Sequence, residues 1–469
     1  MDSFRIEKDS LGDVNVPQEA YWGAQTQRAI ENFPVSGIRF PDVFIRSLVL
    51  IKRASASVNR RLGILDAKRA TAILRACDEI VQGTLADQFP LDIFQTGSGT
   101  STNMNANEVI ASRANEILTG SRNSRSPVHP NDHVNMGQSS NDVFPTAIHV
   151  SAALHVKEQL LPAFELLRTT IAAKAKNHAA RVKTGRTHLM DAMPITFGQE
   201  LSGWATQVAN ATMRIESTLP RVCELAIGGT AVGTGVNTNK KFGRLVAKEL
   251  SASTKITFTE APNHFEAQSS QDSIVELSGQ LKTYASALAK ISNDLRWMNS
   301  GPIAGLGEIR LPSLQPGSSI MPGKVNPVIA ESARMVAAQV MGNDAVIAYS
   351  NSAGDFQLNV MMPVIAHNIL QSISLLASVS RLLGEKAIRG LELDEERMRE
   401  LVHKNPIIAT VLNPIIGYDK AAEVVKKAMK EHKMVKEVVV ELGYLSAKQA
   451  EKILDPEIMT KPGFSGKGE

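Results

Sequence analysis

The chain reads as a mainly α-helical protein built on long rods, and three observations predict this. Aromatic residues make up only 5% of the 469, too few for the packing that fills an all-β sandwich, so the core falls to Ala, Leu, Ile and Val. Segment 267–299 contains no proline and a single glycine, Gly279. Along it Ile274, Leu277, Leu281, Tyr284, Leu288, Ile291 and Leu295 recur at alternating three- and four-residue steps, the apolar seam of a coiled coil or helix bundle. At ~1.5 Å per residue this segment makes a rod of roughly 50 Å.

Taken in order, residues 1–9 are charged and lead into no apolar run, which speaks against a secretory signal or a transit peptide. Gly, Pro, Ser and Asn concentrate in 32–42, 119–131, 228–241 and 301–327, and these read as loops. Between them a helix is expected to begin near Asn103. Further rods are expected over 142–177 (bent at Pro162), 195–219 and 328–350, with another helix after Pro363. From about Arg397 the pattern breaks into short amphipathic pieces over 419–431, 435–442 and 446–453, a small helical appendix. Rods this long do not pack into one compact globule alone, so a homo-oligomer sharing a bundle is expected.

Composition closes several alternatives. The chain has room for two or three units of ~150 residues. Its 51 basic and 47 acidic side chains leave a formal charge of +4, too little for a broad nucleic-acid face, so any anion must be held by local groups. No run of about 18 uninterrupted apolar residues occurs, so no membrane span is expected. Cys77 and Cys223 lie in apolar helical stretches and read as buried thiols of a cytoplasmic protein rather than as one long-range disulfide, the alternative two cysteines leave open.

Four stretches could carry chemistry. Gly317-Ser318-Ser319-Ile320-Met321-Pro322-Gly323-Lys324-Val325-Asn326-Pro327 superficially resembles a phosphate loop. The spacing is wrong, however, and Val325 stands where a magnesium-binding hydroxyl is required. Its prolines, apolar residues, hydroxyls, ammonium and carboxamide suit a lid that closes on a small carboxylate, more than a plain linker. Thr96-Gly97-Ser98-Gly99-Thr100-Ser101-Thr102 is an N-capping turn or an anion cradle. His129-Pro130-Asn131-Asp132-His133-Val134-Asn135 precedes Gln138-Ser139-Ser140-Asn141-Asp142. The Pro-Asn-Asp turn between the two histidines is a poor frame for an i, i+4 metal pair, and Ser139-Ser140-Asn141 is an N-cap cluster or an anion-binding helix start. Gly185-Arg186-Thr187-His188 places a histidine near an expected helix start. Taken alone it is a structural residue; a carboxylate such as Glu331, in the first turn after the lid, would fix its tautomer and raise its basicity.

Together these stretches resemble the fumarase/aspartase superfamily of lyases over essentially the whole chain. The lid follows that superfamily's Gly-Ser-Ser-x-Met-Pro-x-Lys-x-Asn pattern, and the other three stretches match its active-site segments in the right order. Within it the match is to class II fumarases, the fumarate hydratases. Thr96-Gly97-Ser98-Gly99-Thr100, Ser139-Ser140-Asn141-Asp142, His188 and Gly323 are the fumarase versions, and aspartases usually carry Gln at the position of His188. Aspartate ammonia-lyase is the nearest alternative. Met190, His133 and the run Val328-Ile329-Ala330 depart from the usual fumarase residues, and none of them removes a catalytic group.

The resemblance implies three largely helical domains, here 1–138, 139–396 and 397–469, the central one contributing to a twenty-helix core in a homotetramer. It implies reversible, stereospecific hydration of fumarate to L-malate in the tricarboxylic acid cycle by metal-independent acid–base chemistry. No cofactor is implied, because the substrate's own carboxylate is the electron sink. It assigns Ser318 as the base, His188 with Glu331 to the water, and Lys324 beside the alkoxide. Thr100, Ser139, Ser140, Asn141, Thr187, Lys324 and Asn326 would hold the two carboxylates in sites drawn from three subunits, with Ser98, Gly99, Ser319 and Val325 lining them. His129, Pro130, Asn131 and Asp132 resemble the family's second dicarboxylate site.

Overall fold

The computed structural model describes residues 3–122 and 125–463. The chain divides into two compact units, each assembled from separated stretches: Met1–Pro162, Ala211–Ala285 and Val336–Ala377 make one, and Ala163–Asn210, Ser286–Met335 and Ser378–Glu469 make the other.

The fold is mainly helical, and among the described residues its strands form only two-stranded ribbons. The expected seam is present: all seven of its residues, Ile274 to Leu295, are fully buried. Their helix is Asp272–Met298, shorter than the expected rod. A separate turn of helix, His264–Ser269, precedes it, capped by Asn263 Oδ1 on the amides of Phe265 and Glu266. The rod expected over 142–177 is interrupted rather than merely bent. Helix Ser140–His155 passes through a wider turn, Val156–Leu160, before helix Leu161–Asn177, because Pro162 cannot donate its amide to the preceding turn. The remaining expected rods are Phe197–Val222, Val328–Ser352 and Met362–Leu382. The segment Met362–Ile388 is long and apolar enough to cross a membrane by composition, and two thirds of its most apolar window is buried in protein, as a core helix requires.

In the first unit, helix Asp42–Arg61 packs against Ala67–Val81, Ser140–His155 and Phe242–Thr254. Phe40, Phe44 and Phe144 form its aromatic cluster, with ring centroids 4.4 to 5.9 Å apart. The charged N-terminus forms a hairpin, Phe4–Asp9 with Gly12–Pro17. Arg5 clamps it by donating to the carbonyls of Pro17, Ala20 and Trp22. In the second unit, the C-terminal pieces Tyr418–Glu431, Val435–Glu441 and Ala447–Ile453 bury a core of their own around Leu412, Val424, Val438 and Val439. Cys77 and Cys223 are both buried free thiols.

Candidate active site

The residues singled out above fall into two groups, one in each unit. In the first unit, Ser98, Gly99 and Thr100 form the turn that starts helix Thr100–Thr119, three residues earlier than expected. Gly99 sits at φ +71°, and a Cβ there would lie 2.0 Å from the Phe144 ring, so only glycine fits. Side chains already cap the first turn: Thr96 Oγ1 accepts the Ser101 amide and Gln95 Oε1 the Thr102 amide. The stretch is therefore a capping turn, and what it offers a ligand is its hydroxyls. These form a chain in which Ser98 Oγ is 2.7 Å from Thr100 Oγ1, itself 2.8 Å from Ser140 Oγ.

Ser139, Ser140 and Asn141 open helix Ser140–His155 with a capping box. Ser139 Oγ accepts the Asn141 amide, and Asp142 Oδ1 accepts the Ser139 amide at 2.9 Å. The other Asp142 oxygen accepts the amides of Gly228 and Thr230 at 3.0 and 2.9 Å, and Asn141 Nδ2 donates to Ala231 O. A fully buried carboxylate thus clips the 228–231 loop beside the hydroxyl chain. Burial pushes the Asp142 carboxyl up, opposed by its bonds to the Ser139, Thr230 and Gly228 amides and by Lys52. Thr100, Asn103, Asn135, Gln138, Ser139 and Ser140 face a cavity of about 390 Å³.

The His129–His133 pair does lie on a helical turn, Pro130–Val134, contrary to expectation. It is one widened turn that Pro130 starts, where no amide is needed. The Nδ1 atom of each ring is engaged locally: His129 Nδ1 accepts the amides of Asn131 and Asp132 at 3.3 Å, and His133 Nδ1 accepts the His129 amide at 2.8 Å. Burial lowers His133's affinity for a proton, and Arg69 adds to this.

In the second unit, His188 is not at a helix start. It occupies the tip of a hairpin, Val182–Thr187 with Met190–Thr196, where His188 and Leu189 take φ values of +55° and +60°. Two consecutive left-handed residues make the tight turn that matches strand twist, at roughly 1–2 kcal/mol per non-glycine residue. The hairpin is braced beneath. Arg186 grips Glu308 with both terminal guanidinium nitrogens, at 2.7 and 3.0 Å. Lys183 reaches Glu308 at 3.2 Å and also pairs with Glu200. Glu308 is fully buried and Lys183 nearly so. Thr187 and His188 stay exposed at the tip.

The lid is a loop with a closed neck. Gly317 N donates to Lys324 O at 2.7 Å, and Asn326 Nδ2 donates to Gly317 O at 2.9 Å. Ser318 Oγ accepts the Ile320 and Met321 amides at 3.2 and 3.0 Å, and Lys324 Nζ donates to Asn326 Oδ1 at 2.7 Å. Ser319 and Val325 are exposed beside them. Glu331 lies half-buried in the first turn of helix Val328–Ser352. Among the described residues, no hydrogen bond or ion pair joins the His188 and Glu331 side chains within one chain.

Sequence reasoning passed over Lys52 and Glu308, and it gave Asn135 and Arg186 no role of their own although both lie in stretches it singled out. A lysine within the apolar run Leu48-Val49-Leu50-Ile51-Lys52 was the available signal, since lysine is rarely fully buried unless partnered.

Comparison with known proteins identifies the family of the chain. A family profile described as "Lyase" matches residues 12–342, and one described as "Fumarase C C-terminus" matches 408–461. Fumarate hydratase class II of Xylella fastidiosa (strain Temecula1) is 54% identical over 463 residues, covering 99% of this chain and 97% of that one. "Fumarate hydratase class II 2" of Pseudomonas aeruginosa is 54% identical over 464 residues, covering 99% and 100%. The crystal structure of class II fumarase from Schistosoma mansoni superposes with a TM-score of 0.95 at 43% identity, covering 98% of this chain and 99% of that one.

Proposed function

The chain belongs to the class II fumarate hydratase family, a hydro-lyase family that interconverts fumarate and L-malate, and on that premise we propose how its residues divide the work. Dehydration of malate removes a proton from the carbon beside one carboxylate, carries the electron pair into that carboxylate, and expels hydroxide from the neighbouring carbon as water. Ser318 takes the proton. What supports this assignment is the pair of lid amides donating to its Oγ, which favour the alkoxide that a lone serine cannot sustain. Lys324 adds positive charge beside it. His188, oriented by Glu331, protonates the departing hydroxyl and in hydration takes the proton from water.

The hydroxyls of Thr100, Ser139, Ser140 and Thr187 and the amides of Asn141 and Asn326 hold the carboxylates, with Ser98, Gly99, Ser319 and Val325 around them. His129, Pro130, Asn131 and Asp132 form a second, non-catalytic dicarboxylate site. The working unit is a cytoplasmic homotetramer of the tricarboxylic acid cycle, each active site drawing on three subunits. Supporting this, His188 and Glu331 have no bond to each other within one chain, the lid leaves Ile320 83% and Met321 50% exposed, and the thiols are unpaired.

The reaction is tested by the ultraviolet absorbance of the fumarate double bond in the presence of excess chelator. L-malate is expected to give fumarate and L-aspartate to give none. Fumarate from aspartate alone would replace hydration with deamination, and silence with both would remove this substrate class.

A further inference from the structure

The cavity lined by Thr100, Asn103, Asn135, Gln138, Ser139 and Ser140 has no charged side chain in its wall, yet the substrate proposed for it is a dianion. Behind that wall lies Lys52, fully buried in helix Asp42–Arg61. Its Nζ donates to Asn135 Oδ1 at 2.9 Å and to Gln138 Oε1 at 3.0 Å. Asn107 and Asn103 also donate to Asn135 Oδ1, at 3.2 and 3.3 Å. Gln138 Nε2 donates to the carbonyls of Val134 and Met136. Both cavity-wall amides are thus pinned with their oxygens on the ammonium and their dipoles aligned by it. An ammonium this deep is costly to desolvate, and the Asp142 carboxylate nearby is already taken up by three amides. Packing alone would be served by an apolar side chain.

We propose, on the reading of this cavity as a dicarboxylate site, that Lys52 is its positioning cation: held directly behind the wall by the Asn135 and Gln138 oxygens, it supplies the positive field that makes a neutral wall hold a carboxylate. Burial lowers the Lys52 ammonium to about 7, opposed by Asp142 and by Cys77. Those two groups lie on the helices Ser140–His155 and Ala67–Val81. On the other packed elements, Glu249 of helix Phe242–Thr254 engages Ser57 and Arg61, His133 faces Arg69, and helix Thr100–Thr119 presents the neutral amides of Asn103 and Asn107. A bound dianion stabilises the charged form, so binding draws a proton onto Lys52 above neutrality, and affinity falls as pH rises and the free ammonium is lost.

Lys52→Met keeps the length of the side chain and deletes its charge. It is expected to raise KM for fumarate and for L-malate about tenfold with kcat within about threefold. The unaltered enzyme is expected to show a rise in KM between about pH 6.5 and 8.5 as the Lys52 ammonium is lost, and Lys52→Met to abolish that rise. An unchanged KM, or a kcat that falls while KM stays, overturns the proposal. A second measurement needs no change at Lys52: calorimetry of succinate binding at about pH 7.5, in buffers of different ionisation enthalpy, on the unaltered enzyme and on His188→Asn. Net proton uptake in both is expected; its absence, or its loss with His188, overturns the proposal even if Lys52→Met does not fold. Failure of the unaltered enzyme to convert malate would instead sink the reaction assignment, so the two readings fail separately.

Discussion

Ser318 carries the hardest step of the proposed reaction with one of the weakest bases among the side chains. A hydroxyl becomes competent only if its oxyanion is stabilised where it forms. In the proposed mechanism this falls to the Ile320 and Met321 amides, which both donate to Oγ across a turn closed by the Gly317–Lys324 bond. The stabilisation belongs to the alkoxide and not to the bound substrate, so it should show in kcat. Ser318→Ala is expected to lower kcat about 10³-fold with KM little changed. The turn lies on an exposed lid, so stability should move by no more than about 0.5 kcal/mol. Steady-state kinetics with a parallel melting curve decide the matter, and near-normal turnover removes Ser318 from the base's role.

At the scale of elements, what holds His188 is a hairpin that sequence reasoning took for the approach to a helix. The reason is physical. Val182–Thr187 and Met190–Thr196 lack the alternation of apolar and polar residues that announces a strand, because Lys183 and Arg186 bury charge where a ribbon would bury valine. Their partner, Glu308, lies more than a hundred residues along the chain, beyond the reach of any local pattern. The helix seam over Ile274 to Leu295 was legible because its signal is local and repeated. Glu308 should therefore matter out of proportion to its distance from the lid. Glu308→Ala leaves the buried Lys183 and the half-buried Arg186 with one fewer counter-charge and is expected to cost about 3–5 kcal/mol, read as a lower urea midpoint. Turnover should fall with it, because the turn carrying His188 loses its brace. A variant with unaltered midpoint and turnover would show that the clamp positions nothing.

For the whole molecule, the lid, the hydroxyl turn and the capping box could be read as short stretches because each organises its own backbone. Lys52 could not, since its meaning depends on Asn135 and Gln138, which only the fold brings to it. The same limit applies to assembly. Rod length pointed to a shared bundle, and the helix Val328–Ser352 gives that expectation a surface: Met341 and Val346 are 38% and 39% exposed and Tyr349 is 70% exposed, with Ala338, Gly342 and Ala345 exposed among them. Small residues between larger apolar ones let a second helix approach closely, and a lone soluble chain gains nothing by leaving such a face wet. In the proposed tetramer that face is covered, and each active site exists only once subunits meet. Val346→Asp places a charge on it, at a desolvation cost of several kcal/mol in the assembled state and almost none in the separate chain. Sedimentation should then show species smaller than four chains, with helical content unchanged by circular dichroism. Turnover per chain should fall about 100-fold or more at low enzyme concentration and recover in part as concentration rises, by mass action. A variant that sediments as one chain yet keeps full turnover would show that a single subunit holds a complete site.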